Sequence, residues 1–282
     1  MFDLEPPPLV QPQPIYDSAR RPHPFIEELI ELYRFRDLVA LWTVRNITLR
    51  YKRSVLGIGW TLLEPLMMMI IMTFVFSSLF RFATESYPIY VLTGLLLFDF
   101  FSRSTNQIID EVVTSQNLAQ RIHVPRSAFA LATLIAYLVN WALALLPLAV
   151  IMLFMDLRLS WSLLMTPLVM LLAALFAAGI GLVVATLGAF FHDIKLTYGV
   201  LLTAWLYATP VIYPVEILPD KLQRLLVFNP MFHLLRLFRA LVIAGRVPPV
   251  SDWLLTGGIC MLAATLGWWI FTHSRQAIEY RV

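Results

Sequence analysis

Two long and almost uninterrupted apolar stretches, residues 66–79 and 168–184, constrain this chain more than any other feature. A helix needs about 20 apolar residues to cross the hydrocarbon core of a bilayer, because each residue advances it by about 1.5 Å. The composition agrees, since 59% of the residues are hydrophobic and only 14% are charged, whereas soluble domains contain about 25% charged residues. The sequence therefore predicts an all-α, polytopic membrane protein.

Six segments have the length and composition expected of membrane-spanning helices. We place them at 61–80, 88–108, 128–154, 162–190, 197–213 and 253–272. An even number of crossings puts both termini on the same side of the membrane. Lys and Arg residues cluster just before the first span, which marks that side as cytoplasmic. We therefore expect a multi-pass protein of the bacterial inner membrane with both termini in the cytoplasm.

The predicted outside stretch 214–252 disagrees with the simplest form of this rule, because it contains five basic residues. These are Lys221, Arg224, Arg236, Arg239 and Arg246. Within the stretch, residues 231–245 are apolar but too few to cross a bilayer. We interpret the region before the last span as re-entrant or interfacial helices, so that the number of crossings remains six.

The amino-terminal part of the chain divides into two segments ahead of the membrane domain at 61–282. Residues 1–24 are rich in proline, which predicts a mobile cytoplasmic tail. Residues 25–60 are predicted to form an amphipathic interface helix and a basic linker. The apolar face of that helix contains Phe25, Leu29, Leu32 and Tyr33, and its polar face contains Glu27, Glu31 and Arg34.

The basic linker contains Arg45, Arg50, Lys52 and Arg53. Two interpretations stay open for this cluster: it anchors the chain to anionic lipid headgroups, or it attracts a lipid-linked phosphate.

No motif for catalysis, metal binding or nucleotide binding occurs in the sequence. The patterns GxxxxGK[ST], HExxH, GxSxG, CxxC and GxGxxG are all missing, and the chain has one cysteine, Cys260. We therefore expect no catalytic residue, no metal and no cofactor in this chain.

Three candidate carboxylates lie inside or near predicted spans, where charges are costly. Asp193 lies in a predicted cytoplasmic turn, where we expect a structural role, and the other two are Glu64 and Asp99. Glu64 is either a headgroup-level partner of nearby basic residues or a transport residue. Asp99 either makes a buried hydrogen bond or faces a wet pathway. A membrane-embedded enzyme using these two groups as acid and base remains an alternative.

Residues 50–57, Arg-Tyr-Lys-Arg-Ser-Val-Leu-Gly, followed by Trp60, Leu63 and Pro65, resemble the start of the first span in ABC-2 type polysaccharide exporter permeases. The resemblance covers about residues 25–280. It continues through Tyr87-Pro88, 94–98, 117–126, 191–193, 209–213, Asn229-Pro230 and Arg239.

The resemblance implies a permease for lipid-linked polysaccharide of the O-antigen or teichoic acid type. Two copies of the permease would form the channel, and two separate ABC ATPase subunits would hold ATP and Mg. An ABC-2 exporter of drugs or lipids is the alternative within the same family.

The resemblance also assigns expected roles to individual residues. Aromatic side chains that would line the channel are Phe74, Tyr90, Phe98, Trp205, Tyr207 and Tyr213. The basic cluster, rather than the resemblance, supplies the candidates for contact with the substrate phosphate or a headgroup: Arg50, Lys52 and Arg53. Residues that would contact the ATPase are Glu27, Glu31, Asn117, Gln120, Arg121 and His123.

Overall fold

The computed structural model describes residues 24–52, 54–80, 87–114, 124–155, 160–191 and 193–274. These residues form ten α-helices and contain no β-strand. In chain order the helices are α1 (Pro24–Arg34), α2 (Arg36–Tyr51), α3 (Gly59–Phe80), α4 (Tyr87–Thr114), α5 (Arg126–Phe154), α6 (Thr166–Phe190), α7 (Ile194–Ala208), α8 (Asp220–Leu225), α9 (Pro230–Val242) and α10 (Val250–His273). Short 3-10 turns cover Trp161–Met165, Val215–Ile217 and Leu226–Phe228.

The all-α membrane fold is confirmed. Among the described residues, four helical segments are long and apolar enough to cross a membrane: Gly59–Phe76, Arg126–Phe154, Trp161–Phe190 and Val250–His273. The helix α4 coincides with the second predicted span and its 28 residues are about 42 Å long, but its second half contains Arg103, Asp110 and Glu111. The predicted total of six crossings stays a prediction.

Helix α7 is shorter than the predicted fifth span, 197–213, and ends at Ala208. Pro210 lies two positions after this last helical residue, and a proline disfavours helical backbone in the residue before it. Thr209 accordingly has an extended backbone, with φ −108° and ψ 135°.

A bent helix pair precedes the last span, as predicted. The segment Asp220–Phe228 and helix α9 meet at 96°, a geometry typical of a broken span or a re-entrant loop. The bend lies at Asn229, whose side chain accepts a hydrogen bond from the backbone N–H of Met231 at 3.1 Å. Pro230 then begins α9 at the position where a proline costs no hydrogen bond.

The bundle has two ends, which we name by the elements found there. At the α9 end, α4 begins near residues 209–213 and Ser162 donates a hydrogen bond to the carbonyl of Leu241. At the α4–α5 end, α4 finishes and α5 begins, and the α7 residue Lys195 pairs with Asp110 of α4 at 2.7 Å. Buried rings of α4, α6 and α9 lie in the main core: Phe101, Phe176 and Phe238.

The apolar residues of α1 divide between the bundle and the exterior. Phe25 packs edge-on against Trp268 of α10, and Leu32 packs against the small cluster around Val39 and Phe129. The exposed apolar side is rotated from the predicted face and consists of Ile26, Leu29, Ile30 and Tyr33. An interface helix in this place therefore has one apolar side for the bundle and one for the membrane surface.

Helices α6 and α10 approach each other most closely through two glycines. A Cβ added to Gly267 would lie 2.2 Å from the carbonyl oxygen of Gly179, and one added to Gly179 would lie 2.2 Å from that of Ala263. Small residues allow this kind of close helix crossing inside membranes.

Replacing Gly267 by Ala is expected to destabilise the bundle by about 1–3 kcal/mol, because the added methyl group forces two backbones apart. Thermal unfolding of the purified chain in detergent measures the change. The matched control is Gly258→Ala on the same helix, where nothing lies within 4 Å of the added Cβ. Equal losses in the two variants would contradict the close crossing.

Candidate functional site

A cavity of about 200 Å³ with charged, polar and apolar lining residues lies between the end of α2, the start of α3 and the middle turns of α4 and α5. The lining residues of α4 and α5 recur every three or four positions, as side chains on one helix face do. They are Leu96, Asp99, Phe100 and Arg103 on α4, and Tyr137, Asn140, Trp141 and Ala144 on α5. Helices α2 and α3 contribute Arg50, Tyr51, Trp60, Thr61, Glu64 and Pro65.

Arg103 connects two carboxylates at the mouth of the cavity. Its Nε donates to Asp99 Oδ1 at 2.6 Å within α4, and its Nη2 forms an ion pair with Glu64 of α3. All three side chains are half-exposed. The guanidinium fork can serve two carboxylates at once, which a lysine ammonium does less well. Arg103 therefore ties α3 to α4 and leaves the three charges with a single negative excess.

Hydrogen bonds and a cation–π contact connect other residues that line the cavity. The Tyr51 hydroxyl donates to Asn140 Oδ1 at 2.8 Å and also contacts Thr61 Oγ1. The guanidinium of Arg50 lies 4.3 Å from the centroid of the Tyr137 ring, an attraction between the cation and the negative face of the ring. These contacts join the end of α2 to α3 and α5.

The structure gives Glu64 a different partner from the expected ones. The sequence suggested Arg50, Lys52 or Arg53, which are close in the chain. Arg103 is 39 residues away, and sequence distance alone gives no hint of that contact. The spacing of Asp99 and Arg103 was the available signal, because residues four apart on a helix are neighbours.

Removing the central cation tests this cluster. Arg103→Met is expected to destabilise the chain, because Glu64 and Asp99 then repel each other without a cation between them. Adding Glu64→Gln and Asp99→Asn is expected to restore most of the loss. The coupling should be about 0.5–3 kcal/mol, the range for residues of one ion-pair network. Thermal unfolding in detergent measures each variant.

Lys195→Met is the control, since it breaks one half-exposed pair with Asp110 and should cost about 0–1 kcal/mol. A triple variant that is less stable than Arg103→Met alone would refute the role of charge balance.

A second cluster of contacts holds the non-helical segment after α7, at the α9 end. Arg239 of α9 donates to the carbonyls of Pro210 at 2.7 Å, Val211 at 2.9 Å and Tyr90 at 3.1 Å. Its guanidinium also lies 3.4 Å from the centroid of the Tyr90 ring. Backbone carbonyls without a helical partner are costly in a membrane, and Arg239 satisfies those of Pro210 and Val211.

Tyrosine hydroxyls and a close backbone approach complete this arrangement. Tyr87 donates to the carbonyl of Ile212 at 2.9 Å, and Tyr90 donates to that of Tyr213 at 3.0 Å. At Gly94 of α4, an added Cβ would lie 2.6 Å from the carbonyl oxygen of Val211. We call residues 209–214 with Arg239, Tyr87 and Tyr90 the outer clamp, since the topology expected from the sequence puts this end outside.

Arg239→Met is expected to loosen residues 209–214, because the carbonyl of Val211 loses its donor and that of Pro210 keeps only the longer bond from Tyr90 at 3.3 Å; each unsatisfied group costs about 1–3 kcal/mol. Hydrogen–deuterium exchange should show faster amide exchange in this segment than in the parent chain. Arg236→Met, one turn earlier, is the control, since Arg236 pairs only with the Asp252 carboxylate at 2.5 Å among the contacts described. Unchanged exchange at 209–214 in Arg239→Met would contradict the clamp.

The six aromatic residues expected in a channel do not form one cluster within a single chain. Phe98 is buried against Phe101, and Trp205 contacts Phe101 and Phe176 edge-on. Tyr90 belongs to the outer clamp, while the hydroxyl of Tyr213 donates to the carbonyl of Tyr207 at 2.7 Å.

Phe74 and Tyr207 have exposed rings, at 80% and 63%. A role in a channel stays a prediction for all six, and the two exposed rings are the ones directly available to a passing molecule.

Of the residues expected to contact an ATPase, the two on α1 are described, and they lie at the α4–α5 end. Glu27 and Glu31 are half-buried on α1. Asn117, Gln120, Arg121 and His123 lie outside the described residues. Of the expected phosphate ligands, Arg50 and Lys52 are exposed, and Arg53 also lies outside the described residues.

Helix α1 is tied firmly to this end of the bundle. Glu28 is buried, and its carboxylate accepts a hydrogen bond from the Ser127 hydroxyl in the first turn of α5 at 2.5 Å. The indole N–H of Trp268 on α10 donates to the carbonyl of Phe25 at 3.2 Å. Sequence reasoning missed Glu28 because its spacing on α1 resembles that of the other acidic residues.

Comparisons with known proteins agree with this architecture. The chain is 25% identical over 248 residues to an O-antigen export system permease protein of Myxococcus xanthus, covering 87% of this chain and 95% of that protein. It is 24% identical over 216 residues to a polysialic acid transport protein of Escherichia coli, covering 72% of this chain and 80% of that protein. It is 24% identical over 208 residues to a capsule polysaccharide export inner-membrane protein of Neisseria meningitidis, covering 73% of this chain and 78% of that protein.

The sequence profile of the ABC-2 type transporter family matches residues 38–243. This range runs from the first turn of α2 to the end of α9, and it contains both the cavity and the outer clamp. The match covers well over half of the 282 residues, and the chain therefore belongs to the ABC-2 type transporter family.

Proposed function

We propose that this chain is the membrane permease of an ATP-driven exporter that moves lipid-linked polysaccharide out across the bacterial inner membrane. The observation that carries this proposal is the near full-length similarity to an O-antigen export permease, which covers 95% of that protein. Relatives named for polysialic acid and capsule polysaccharide transport support the same substrate class.

We assign ATP hydrolysis to a separate ABC ATPase subunit, in two copies that serve two copies of this chain. The sequence has no GxxxxGK[ST] loop to hold the phosphates of ATP. In this proposal both termini are cytoplasmic, and the α4–α5 end with helix α1 faces the ATPase. The other expected ATPase contacts, Asn117, Gln120, Arg121 and His123, follow α4 in the sequence and lie outside the described residues.

The ties of α1 suggest how a movement of the ATPase reaches the membrane helices. A push on α1 is transmitted to α5 through Glu28 and Ser127, and to α10 through Phe25 and Trp268. Packed helices shift as rigid elements, so a displacement at one end changes their spacing elsewhere. Residues 209–214 at the opposite end are then the segment that opens or closes the outer exit.

The other two candidate functions fit the site less well. A drug or lipid exporter of the same family needs an apolar pocket, whereas the cavity contains four charged side chains. A membrane enzyme needs carboxylates that are free to act on a substrate, whereas Glu64 and Asp99 both pair with Arg103.

Deleting the gene in its native bacterium is expected to remove polysaccharide from the cell surface and to accumulate lipid-linked glycan inside, because synthesis continues without export. Antibody or lectin labelling of intact and lysed cells measures both pools. Re-expression of the chain should restore the surface label. A normal amount of surface glycan in the deletion strain would refute the proposal.

Purification of the tagged chain from native membranes in mild detergent is the matching biochemical experiment. A soluble protein with a GxxxxGK[ST] loop should copurify and hydrolyse ATP. Glu27→Lys with Glu31→Lys should reduce its recovery, while Asp220→Lys at the opposite end serves as the control. Recovery of no ATPase with any of these chains would contradict the division of labour.

A further inference from the structure

The size of the cavity between α2 and α5 restricts its ligand. Its volume is about 200 Å³, below the roughly 300–1,000 Å³ of pockets that enclose drug-sized molecules. One ring-sized group fits, and a chain of several sugars or a lipid tail does not.

The charges around the cavity exclude an anion as the best ligand. Its charged lining residues are Arg50 and Arg103, which are cationic, and Glu64 and Asp99, which are anionic. Arg103 already serves both carboxylates, and Arg50 lies over the Tyr137 ring. A phosphate entering here would meet two carboxylates beside the cations, which is unfavourable for like charges. An uncharged polar group meets no such penalty.

The remaining lining combines flat rings with hydrogen-bonding groups. Trp60, Tyr137 and Phe100 present aromatic rings, and Asn140, Tyr51 and the carboxylates offer donors and acceptors. A sugar ring requires this mixture, because its C–H faces pack on aromatic rings while its hydroxyls donate to carboxylates and accept from amides.

The cavity wall contains a buried hydrogen-bond donor that a bound ligand could satisfy. Trp141 lines the cavity and is only 3% exposed, stacked on Phe100 at 4.8 Å between ring centroids. Its indole N–H has no hydrogen-bond partner in the described part of the chain. Buried donors are almost always satisfied in folded proteins, and a ligand hydroxyl would supply the acceptor.

We propose that this cavity binds one uncharged pyranose unit of the exported glycan, and that it is not the site of the substrate phosphate. The proposal rests on the proposed function. The sugar lies against Trp60 and Tyr137, its hydroxyls bond to Glu64, Asp99 and Asn140, and the Trp141 N–H donates to one of them. The permease thereby recognises a sugar within each protomer, in addition to whatever the channel between two copies contacts.

Saturation-transfer NMR on the full chain in lipid nanodiscs tests this site. The probes are the methyl glycosides of glucose, galactose, mannose, rhamnose and N-acetylglucosamine, with inorganic pyrophosphate as a competitor. At least one glycoside should receive saturation at its ring protons, and pyrophosphate should not displace it. Trp141→Phe keeps the ring and removes the N–H, so the apparent affinity should fall about two- to tenfold, as expected for the loss of one hydrogen bond.

Two further variants separate binding from folding. Asn140→Leu should weaken binding as well, whereas Trp161→Phe should leave it unchanged, since Trp161 is 86% exposed and distant from the cavity lining. Thermal unfolding must show that each variant is folded. No saturation of any glycoside, displacement by pyrophosphate, or equal binding by Trp141→Phe overturns the proposal. If surface export still depends on the chain, the sugar site alone is wrong and the proposed function stands.

Discussion

Every backbone N–H and C=O inside a bilayer must find its partner within the protein, and this requirement organises the whole chain. The long helices meet it through their own hydrogen bonds. After Ala208 the helix stops at Pro210, and the carbonyls of residues 210–213 need other donors. Arg239, Tyr87 and Tyr90 provide them. This break in the helical backbone is therefore tolerated because α4 and α9 lie beside it and supply the donors.

Charged side chains inside the bundle also need partners within the protein. Ionised groups are costly in an apolar environment. Several ionised side chains of the helix bundle therefore pair with an opposite charge or lie against an aromatic ring. Glu64, Arg103 and Asp99 form one such group, and Arg50 with the Tyr137 ring forms another. The four charged residues that line the cavity therefore carry no net charge together. Such a cavity suits a neutral hydroxylated ring, and this property connects the electrostatics of the fold to the substrate class proposed for the protein.

Helices α3 and α7 have exposed apolar surfaces. Both helices have large exposed apolar side chains, among them Met67 and Ile70 on α3 and Leu196 and Val200 on α7. A soluble protein would bury such residues. Lipid and a second copy of the chain are the environments that the proposed exporter offers. The half-exposed cluster around Arg103 joins α3 to α4 and keeps this weakly covered helix in place.

The sequence by itself determined the membrane class, the approximate bounds of the long helices and the bent pair before the last span, because hydropathy, proline and helix length act within one segment. The family followed from local motifs such as residues 50–57. Only the tertiary structure decided that Glu64 pairs with Arg103, that Arg239 holds residues 209–214, and that the apolar side of α1 is shared between α10 and the exterior. These contacts join residues 28 to 243 positions apart, and local patterns carry no information on which distant helix faces which. Helix packing supplies that information.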